Sequence, residues 1–367
     1  MTRDSEQSTA QPVNLLEYEE HARQLLPRMV YDYFASGAGA EITVRSNRSD
    51  FDAIRLRPRA LVGVDNRDHS VTVFGQKIPS PIAVAPMAFQ KMAHPDGEIA
   101  AVRGTGAAGA LFVASTMSTV TLEEIAAAAV GPIWFQLYVF KDRELTHSLV
   151  QRAEAAGYTA LQVTGDVPVM GLRESDMRNR FHVPPEFSIK NVEHAGFGTL
   201  PPGDAEMGHA LYTRCRFDAD LSWKDIEWLC GLTKLPVLVK GILRGDDAVR
   251  AVECGCKGVV VSNHGGRQLD TAVSTISALP DVVEALAGRG EVVIDSGVRR
   301  GTDVLKCLAL GAKIAQVGRP VIWGLALDGE AGARRVVATL RDEFDNAMAL
   351  CGCRNIAAIG SDLLQSA

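Results

Sequence analysis

The stretch Lys257-Gly258-Val259-Val260-Val261-Ser262-Asn263-His264-Gly265-Gly266-Arg267-Gln268-Leu269-Asp270 decides how this chain is read. Gly258–Val261 is a short, unbroken, β-branched run, the pattern of a strand buried on both faces. Gly265 and Gly266 end it and let the backbone turn sharply. The turn then carries an imidazole, which can take a proton near neutral pH, and three residues later a permanent cation suited to gripping a carboxylate with two hydrogen bonds. An isolated His-x-x-Arg is more often a solvated surface loop, so the surrounding chain has to discriminate.

Outward from this stretch the same strand-then-helix unit recurs eight times. The strand candidates are Ile82–Ala85, Leu111–Ala114, Ile133–Tyr138, Ala160–Thr164, Pro236–Val239, Gly258–Val261, Val292–Ile294 and Ile314–Val317. Helix-period segments lie between them, at Gly97–Ala108, Leu122–Ala129, Asp142–Ala156, Trp223–Thr233, Gly245–Cys254, Ser277–Ala287 and Gly301–Gly311, and Ile322–Leu350 closes the series. Eightfold alternation predicts an α/β chain of (β/α)8 TIM-barrel type, residues 1–367 forming one domain. A doubly wound open sheet is the competitor, but its Gly-x-Gly-x-x-Gly after the first strand is missing. A helical lead-in over Leu15–Ala35 precedes the barrel, followed by a polar connection and a short β-like stretch, Val71–Phe74. Residues 166–221, after the fourth strand, break the rhythm with Val183-Pro184-Pro185-Glu186 and Leu200-Pro201-Pro202-Gly203-Asp204. Loops this long are usually functional, and a lid over the strand ends is the reading preferred to a purely structural insertion.

Composition narrows the partners. With 367 residues, 47% hydrophobic and a net charge of −6, the chain gives no reason to expect nucleic acid or an anionic membrane. The polar segment Met1–Gln11 has no apolar core of a signal peptide, and no apolar run is long enough to span a bilayer. Seven cysteines, including Cys254-x-Cys256 and Cys351-x-Cys353, lack zinc-knuckle or thioredoxin spacing, so no metal is expected. Free thiols in a reducing cytoplasm are the expectation.

A barrel gathers the residues at its strand ends on one face. Those ends carry Pro86-Met87-Ala88, Ser115, Gln136 and Tyr138, Thr164-Gly165-Asp166 with Arg173 beyond, Lys240, Ser262 and His264, Asp295-Ser296-Gly297-Val298-Arg299, and Gly318-Arg319. Singly each has a dull explanation, such as a helix cap for Asp166 or core for Tyr138. Jointly they make a polar ring with cations that require an anion. The small-residue turns after strands seven and eight, each with an Arg, suit a phosphate. A base beside a carboxylate clamp is what oxidation of a 2-hydroxy acid requires.

The run Ser262–Asp270, with Asp295-Ser296-Gly297-Val298-Arg299-Arg300-Gly301-Thr302-Asp303 and Gly318-Arg319-Pro320, resembles the FMN-dependent 2-hydroxy acid oxidase and dehydrogenase family, which includes glycolate-, lactate- and mandelate-oxidising enzymes. The likeness extends from Tyr31-Asp32-Tyr33-Phe34-Ala35-Ser36-Gly37 through Ala93-His94-Pro95 and Phe135-Gln136-Leu137-Tyr138 to Arg341-Asp342-Glu343-Phe344. It implies His264 as base with Asp166 orienting it, Arg173 and Arg267 holding the substrate carboxylate with help from Tyr33, and Tyr138 on the substrate hydroxyl. It implies FMN as cofactor, with Lys240 at the flavin edge that gains negative charge on reduction. Ser115, Gln136, Thr164, Ser262 and backbone near Pro86 and Ala88 would bond the ring, Asp295 the ribityl chain, and Gly297, Arg299, Gly318 and Arg319 the phosphate. It further implies a homotetramer. The acceptor that reoxidises the flavin is not set by a motif; with no membrane segment in the sequence, oxygen, giving hydrogen peroxide, is expected ahead of a quinone or another redox protein.

Several positions depart from the glycolate oxidase pattern: Met87, Met117 in place of a Trp, Gly165, Leu172 in place of an Arg, and Ser296 in place of a Gly. Met117, with Met170 and Leu172 adding apolar surface, points to a substrate larger than glycolate, aliphatic or mandelate-like. Three alternatives stand beside an oxidase: a dehydrogenase of the same family using another acceptor, a Schiff-base lyase through Lys240, and a flavin-binding protein without turnover.

Overall fold

Short runs of β-branched and apolar residues supply ten strands in the computed structural model, which describes residues 11–199 and 208–365. Two of them, β1 (Val71–Val73) and β2 (Gln76–Ile78), form an antiparallel hairpin with Val71 opposite Ile78. The other eight are β3 (Ile82–Val84), β4 (Leu111–Ser115), β5 (Ile133–Leu137), β6 (Leu161–Thr164), β7 (Val237–Ile242), β8 (Gly258–Val261), β9 (Glu291–Ile294) and β10 (Ile314–Val317). They pair in parallel in chain order, and β10 returns to β3, closing the barrel. The (β/α)8 expectation therefore holds, with strand and intervening helix limits within a few residues of those read from the pattern.

Period-two alternation divides each strand between two cores. Leu111, Val113, Trp134, Ala160, Leu238, Val260, Val293 and Ile314 fill the barrel, joined by Val71, Val73 and Ile78 of the hairpin. Their neighbours in sequence, such as Phe112, Phe135, Leu161 and Val259, pack outward against the helices.

Three departures from the sequence reading have local causes. Pro27 divides the lead-in into helices Leu15–Leu25 and Arg28–Ala35, because a proline inside a helix removes a hydrogen bond and clashes with the preceding turn. The supposed polar connection contains a helix, Ile42–Ala53, whose buried residues Thr43, Asn47 and Phe51 fall four apart. The closing helix begins earlier, at Arg319 with Pro320 in its first turn, and is bent at Asp328 and Gly329.

Residues 166–221 hold more structure than expected. They contain helices Glu174–Arg178 and Gly208–Arg216 and a 3-10 turn, Lys190–Ala195. Phe181, Ile189, Val192 and Tyr212 are buried, and Phe217 pairs with Phe140 beyond the end of β5. The Leu200–Asp204 segment lies outside the described residues, as do most of the polar N-terminus and the last two residues. Among the described residues no helix is long and apolar enough to cross a membrane. All seven cysteines are unpaired; Cys256, Cys307, Cys351 and Cys353 are buried, Cys230 and Cys254 partly so, and Cys215 is exposed.

Candidate active site

β8 delivers His264 through an unusual turn. His264, Gly265 and Gly266 have φ of 58°, 69° and 76°, three successive residues in the left-handed region. The glycines take it freely; for His264 it costs on the order of 1–3 kcal/mol and persists only where neighbours over-determine it. Here they do. The Asn263 side chain accepts from the Gly266 amide at 3.1 Å. Asn263 and Asn47 exchange two amide hydrogen bonds, of 2.9 and 2.7 Å, wholly inside the protein. The Ser262 hydroxyl accepts from the His264 amide at 3.1 Å and from Lys240 Nζ at 2.8 Å. Ser296, itself left-handed at φ 72°, accepts from the Gly265 amide at 2.9 Å and donates to Asp295 at 2.7 Å. The Ser296 hydroxyl thus ties the loops after β8 and β9 together.

His264 Nδ1 stands 2.9 Å from Asp166 Oδ1. Asp166 follows β6, and Gly241 of β7 makes room for it: a Cβ there would lie 2.5 Å from the Asp166 Cβ. Burial pushes the Asp166 carboxyl upward, but its neighbours His264, which also hydrogen-bonds it, and Lys240 outweigh this and hold the group below its ordinary range. Burial lowers the affinity of His264 for a proton, and Asp166 opposes this without overcoming it. The pair is therefore a neutral imidazole on an ionised carboxylate near pH 7. The hydrogen bond assigns the ring proton to Nδ1 and leaves Nε2 as an acceptor.

Two guanidiniums, Arg173 buried and Arg267 half-buried, face this base. Arg267 donates from Nη1 to the carbonyls of Tyr33 and Ser36, and its carbon lies 5.0 Å from the centre of the Tyr33 ring. Arg173 is 3% exposed; its ion-pair partner Asp176 stands at 3.9 Å, beyond a good hydrogen bond. Burial, then repulsion from Arg267, draws Arg173 down to about 10, so it remains a cation at neutral pH. Tyr33 stacks on Phe181 at 4.2 Å and Tyr138 on Phe217 at 4.4 Å. Burial raises both phenols, so each keeps a proton to donate.

A second cationic cluster occupies the loops after β9 and β10. Arg319 donates to the carbonyls of Phe34, Ser36 and Gly265, and Arg299 to that of Val298. Burial, then Arg267 and Arg299, pull Arg319 down to about 9; burial also lowers Arg299. Half-buried cations bonded to carbonyls in place of carboxylates leave positive potential for an anion. Between the two clusters runs a polar ladder: Ser115 donates to Gln136 Oε1 at 3.2 Å and Gln136 to the Thr164 hydroxyl at 2.9 Å. Lys240 adds a buried ammonium 3.4 Å from Asp295.

All this lines one pocket with about 1050 Å³ of space free of protein atoms. Tyr33, Pro86, Ala88, Ser115, Met117, Gln136, Tyr138, Thr164, Arg173, Lys240, His264, Arg267, Asp295, Gly297, Arg299, Gly318 and Arg319 face it. Asp166 and Ser262 stand immediately behind, against His264 and Lys240. A phosphate fits the Arg299–Arg319 end and a flat heteroaromatic ring fits the ladder, so the residues suit FMN.

Leu172 is a correction. Its side chain is 72% exposed while its carbonyl accepts from the Gly39 amide, so it adds no apolar surface to the pocket; Met170 and Val167 do. Four contributors escaped the sequence reading. Asn47 braces Asn263, and Asp176 faces the arginines. Gln316 lines the pocket, and neither of its amide atoms has a hydrogen-bond partner among the described residues. Asp303 accepts from Arg48 and from the amides of Arg299 and Arg300, fixing the loop that carries Arg299.

Comparison with known proteins bears on the same chemistry. The model of the family described as FMN-dependent dehydrogenase matches residues 22–366. An L-lactate oxidase of Nostoc sp. is 48% identical over 96% of this chain and 98% of its own length. Glycolate oxidase 3 of Arabidopsis thaliana is 50% identical over 94% of each chain. A mandelate oxidase structure with (S)-4-hydroxymandelic acid superposes with a TM-score of 0.91 at 41% identity, covering 96% of this chain and 98% of the other.

Proposed function

The chain belongs to the FMN-dependent dehydrogenase family and is an FMN-dependent 2-hydroxy acid oxidising enzyme; from that premise we propose which residues do the work, which acids it prefers and what accepts the electrons. The observation that carries the assignment is the hydrogen-bonded His264–Asp166 pair, with His264 facing Arg173 and Arg267 in one pocket.

FMN, when bound, accepts the two electrons that leave the substrate. Arg173 and Arg267 grip the substrate carboxylate, and the Tyr33 hydroxyl joins them. Tyr138 donates to the C2 hydroxyl. His264 Nε2 takes the proton released on oxidation, and the ionised Asp166 stabilises the imidazolium that results. Lys240 is a fixed positive charge for the reduced flavin. Pro86, Ala88, Ser115, Gln136, Thr164 and Ser262 would hold the ring, Asp295 the ribityl chain, and Gly297, Arg299, Gly318 and Arg319 the phosphate. Residues 166–221 serve as the lid, since Met170, Arg173, Thr213 and Phe217 all reach the pocket from this one segment.

The preferred substrate is an L-2-hydroxy acid larger than glycolate. Met117 is 2% exposed and shares the pocket with Met87, Val167 and Met170, a deformable apolar wall that accommodates a side chain. Oxygen is the proposed acceptor, giving hydrogen peroxide, in line with the oxidases among the relatives. A homotetramer and a cytoplasmic setting complete the reading, the latter supported by seven unpaired thiols. A lyase through Lys240 is disfavoured because that ammonium is bonded to Ser262 and paired with Asp295.

The test is anaerobic mixing of the yellow holoenzyme with glycolate, L-lactate and (S)-mandelate. The flavin should bleach, fastest with the larger acids, and regain colour with one equivalent of peroxide when air enters. Fastest bleaching by glycolate would overturn the size assignment, and recovery only with an added quinone would replace oxygen as acceptor.

A further inference from the structure

Beneath the strands that carry Lys240 and His264, two thiols face each other outside the active-site pocket. Cys230, in the last turn of helix Trp223–Leu232, and Cys256, in the turn before β8, have sulfurs 3.7 Å apart. The helix leads into β7 and the turn into β8. Gly255 presses that turn onto the helix: a Cβ there would stand 3.3 Å from the Cys230 Cβ. Cys230 is partly exposed and Cys256 is 2% exposed. The two differ in acidity. The hydrogen bond with Cys256 lowers the Cys230 thiol against the effect of burial, and Lys257 helps while Glu227 opposes. The same bond, then burial, raises Cys256. An accessible, acidified thiol beside a buried second one is the arrangement of an attacking and a resolving cysteine.

We propose that Cys230 and Cys256 are a peroxide-oxidisable site that closes to an intramolecular disulfide. The Cys230 thiolate attacks one oxygen of hydrogen peroxide. The O–O bond breaks, a sulfenic acid forms, and hydroxide leaves as water after taking a proton. The Cys256 sulfur then displaces the sulfenic oxygen, the S–S bond forms, and a second water departs. In sum two thiols and one peroxide give one disulfide and two waters, sulfur being oxidised and peroxide oxygen reduced. The sulfurs must close to about 2.0 Å, a movement the short helix end and the glycine turn can supply. The site itself is independent of how the enzyme disposes of electrons; its supply of peroxide during turnover rests on oxygen as acceptor.

Holoenzyme without substrate, treated with stoichiometric peroxide and then alkylated, tests the site. Intact mass and peptide mapping should show two of the seven thiols consumed, a cross-linked Cys230–Cys256 peptide, and full reversal by dithiothreitol. Cys256→Ser should lose the cross-link and, given a second equivalent of peroxide, carry Cys230 past the sulfenic acid to sulfinic acid, which dithiothreitol does not reverse, with basal turnover unchanged. Consumption of the exposed Cys215 ahead of this pair, or oxidation without the cross-linked peptide, overturns the proposal. A second arm runs turnover in air with and without catalase. Cross-linking by added peroxide but never during turnover would keep the site and sink oxygen as the acceptor.

Discussion

The two ends of the barrel are built from the same strands and do opposite things. On five of them the interior residue changes from apolar to polar within two positions: Val113 to Ser115, Trp134 to Gln136, Leu238 to Lys240, Val260 to Ser262 and Val293 to Asp295. The lower members pack on one another and on the hairpin; the upper members are hydrogen-bonded around the pocket. Period-two alternation chooses what faces inward, and distance along the strand chooses packing or chemistry. β6 and β10 depart from this: Gln162 carries polarity into the lower core and Gln316 lines the pocket, both without a hydrogen-bond partner among the described residues.

The sharpest way to break this division is at its extremes. His264→Ala should lower turnover by ~10² to 10⁴-fold while FMN binding and thermal stability persist, since the imidazole moves a proton and carries no core; stopped-flow flavin reduction and bound-flavin absorbance give both readings. Loss of FMN in that variant would mean the upper end also holds the structure together. At the lower end Trp134, 1% exposed and packed on Phe74, is the counterpart. Trp134→Ala should cost about 3–5 kcal/mol of stability, measured by denaturant unfolding of the holoenzyme. Any protein that remains folded should keep its kcat.

Smaller effects sharpen the comparison within the upper end. Arg267→Lys keeps a charge but loses the fork, so kcat/KM should fall by about 1.5–3 kcal/mol, roughly tenfold to a hundredfold, with stability little changed. Unchanged kinetics would transfer the carboxylate to Arg173 alone. Met117→Trp should swing preference toward short acids by about 1–3 kcal/mol while leaving flavin affinity intact; an unaltered ranking of glycolate, lactate and mandelate would move size selection to the lid. The smallest shift concerns pH. Burial lowers His264, so kcat/KM should stay level above its depressed pKa and fall as pH drops through it, the limb lying below the ordinary histidine value. Asp166 raises that pKa, so Asp166→Asn should move the limb to still lower pH and reduce the plateau. A limb that moves upward would contradict the assigned pairing.

Sequence made the barrel legible because β8 and its seven counterparts are apolar runs bounded by turns, a signal carried by each segment alone. His264, Lys240 and Arg319 were legible for the same reason, as each directly follows or ends such a run. The helix Ile42–Ala53 was not, because it buries Thr43 and Asn47 alongside a single aromatic, Phe51, and exposes charges elsewhere. Its value lies in contacts across more than two hundred residues, Asn47 to Asn263 and Arg48 to Asp303, and no local pattern encodes those. Asp176 was hidden likewise: its relation to Arg173 is local, but its burial beside Arg267 comes only from the folded loop. Leu172 misled because neighbours in sequence, Met170 and Leu172, were assigned one direction, whereas the backbone bond to Gly39 turns the latter outward.

The hairpin of Val71, Val73 and Ile78, lodged against Leu111 and Trp134, gives the barrel a floor. A room with a floor is entered from above. If acid and electron acceptor use that entrance in turn, the cycle is ping-pong and double-reciprocal plots at several acceptor concentrations should run parallel; intersecting lines would mean that the acceptor reaches the site while product is still bound.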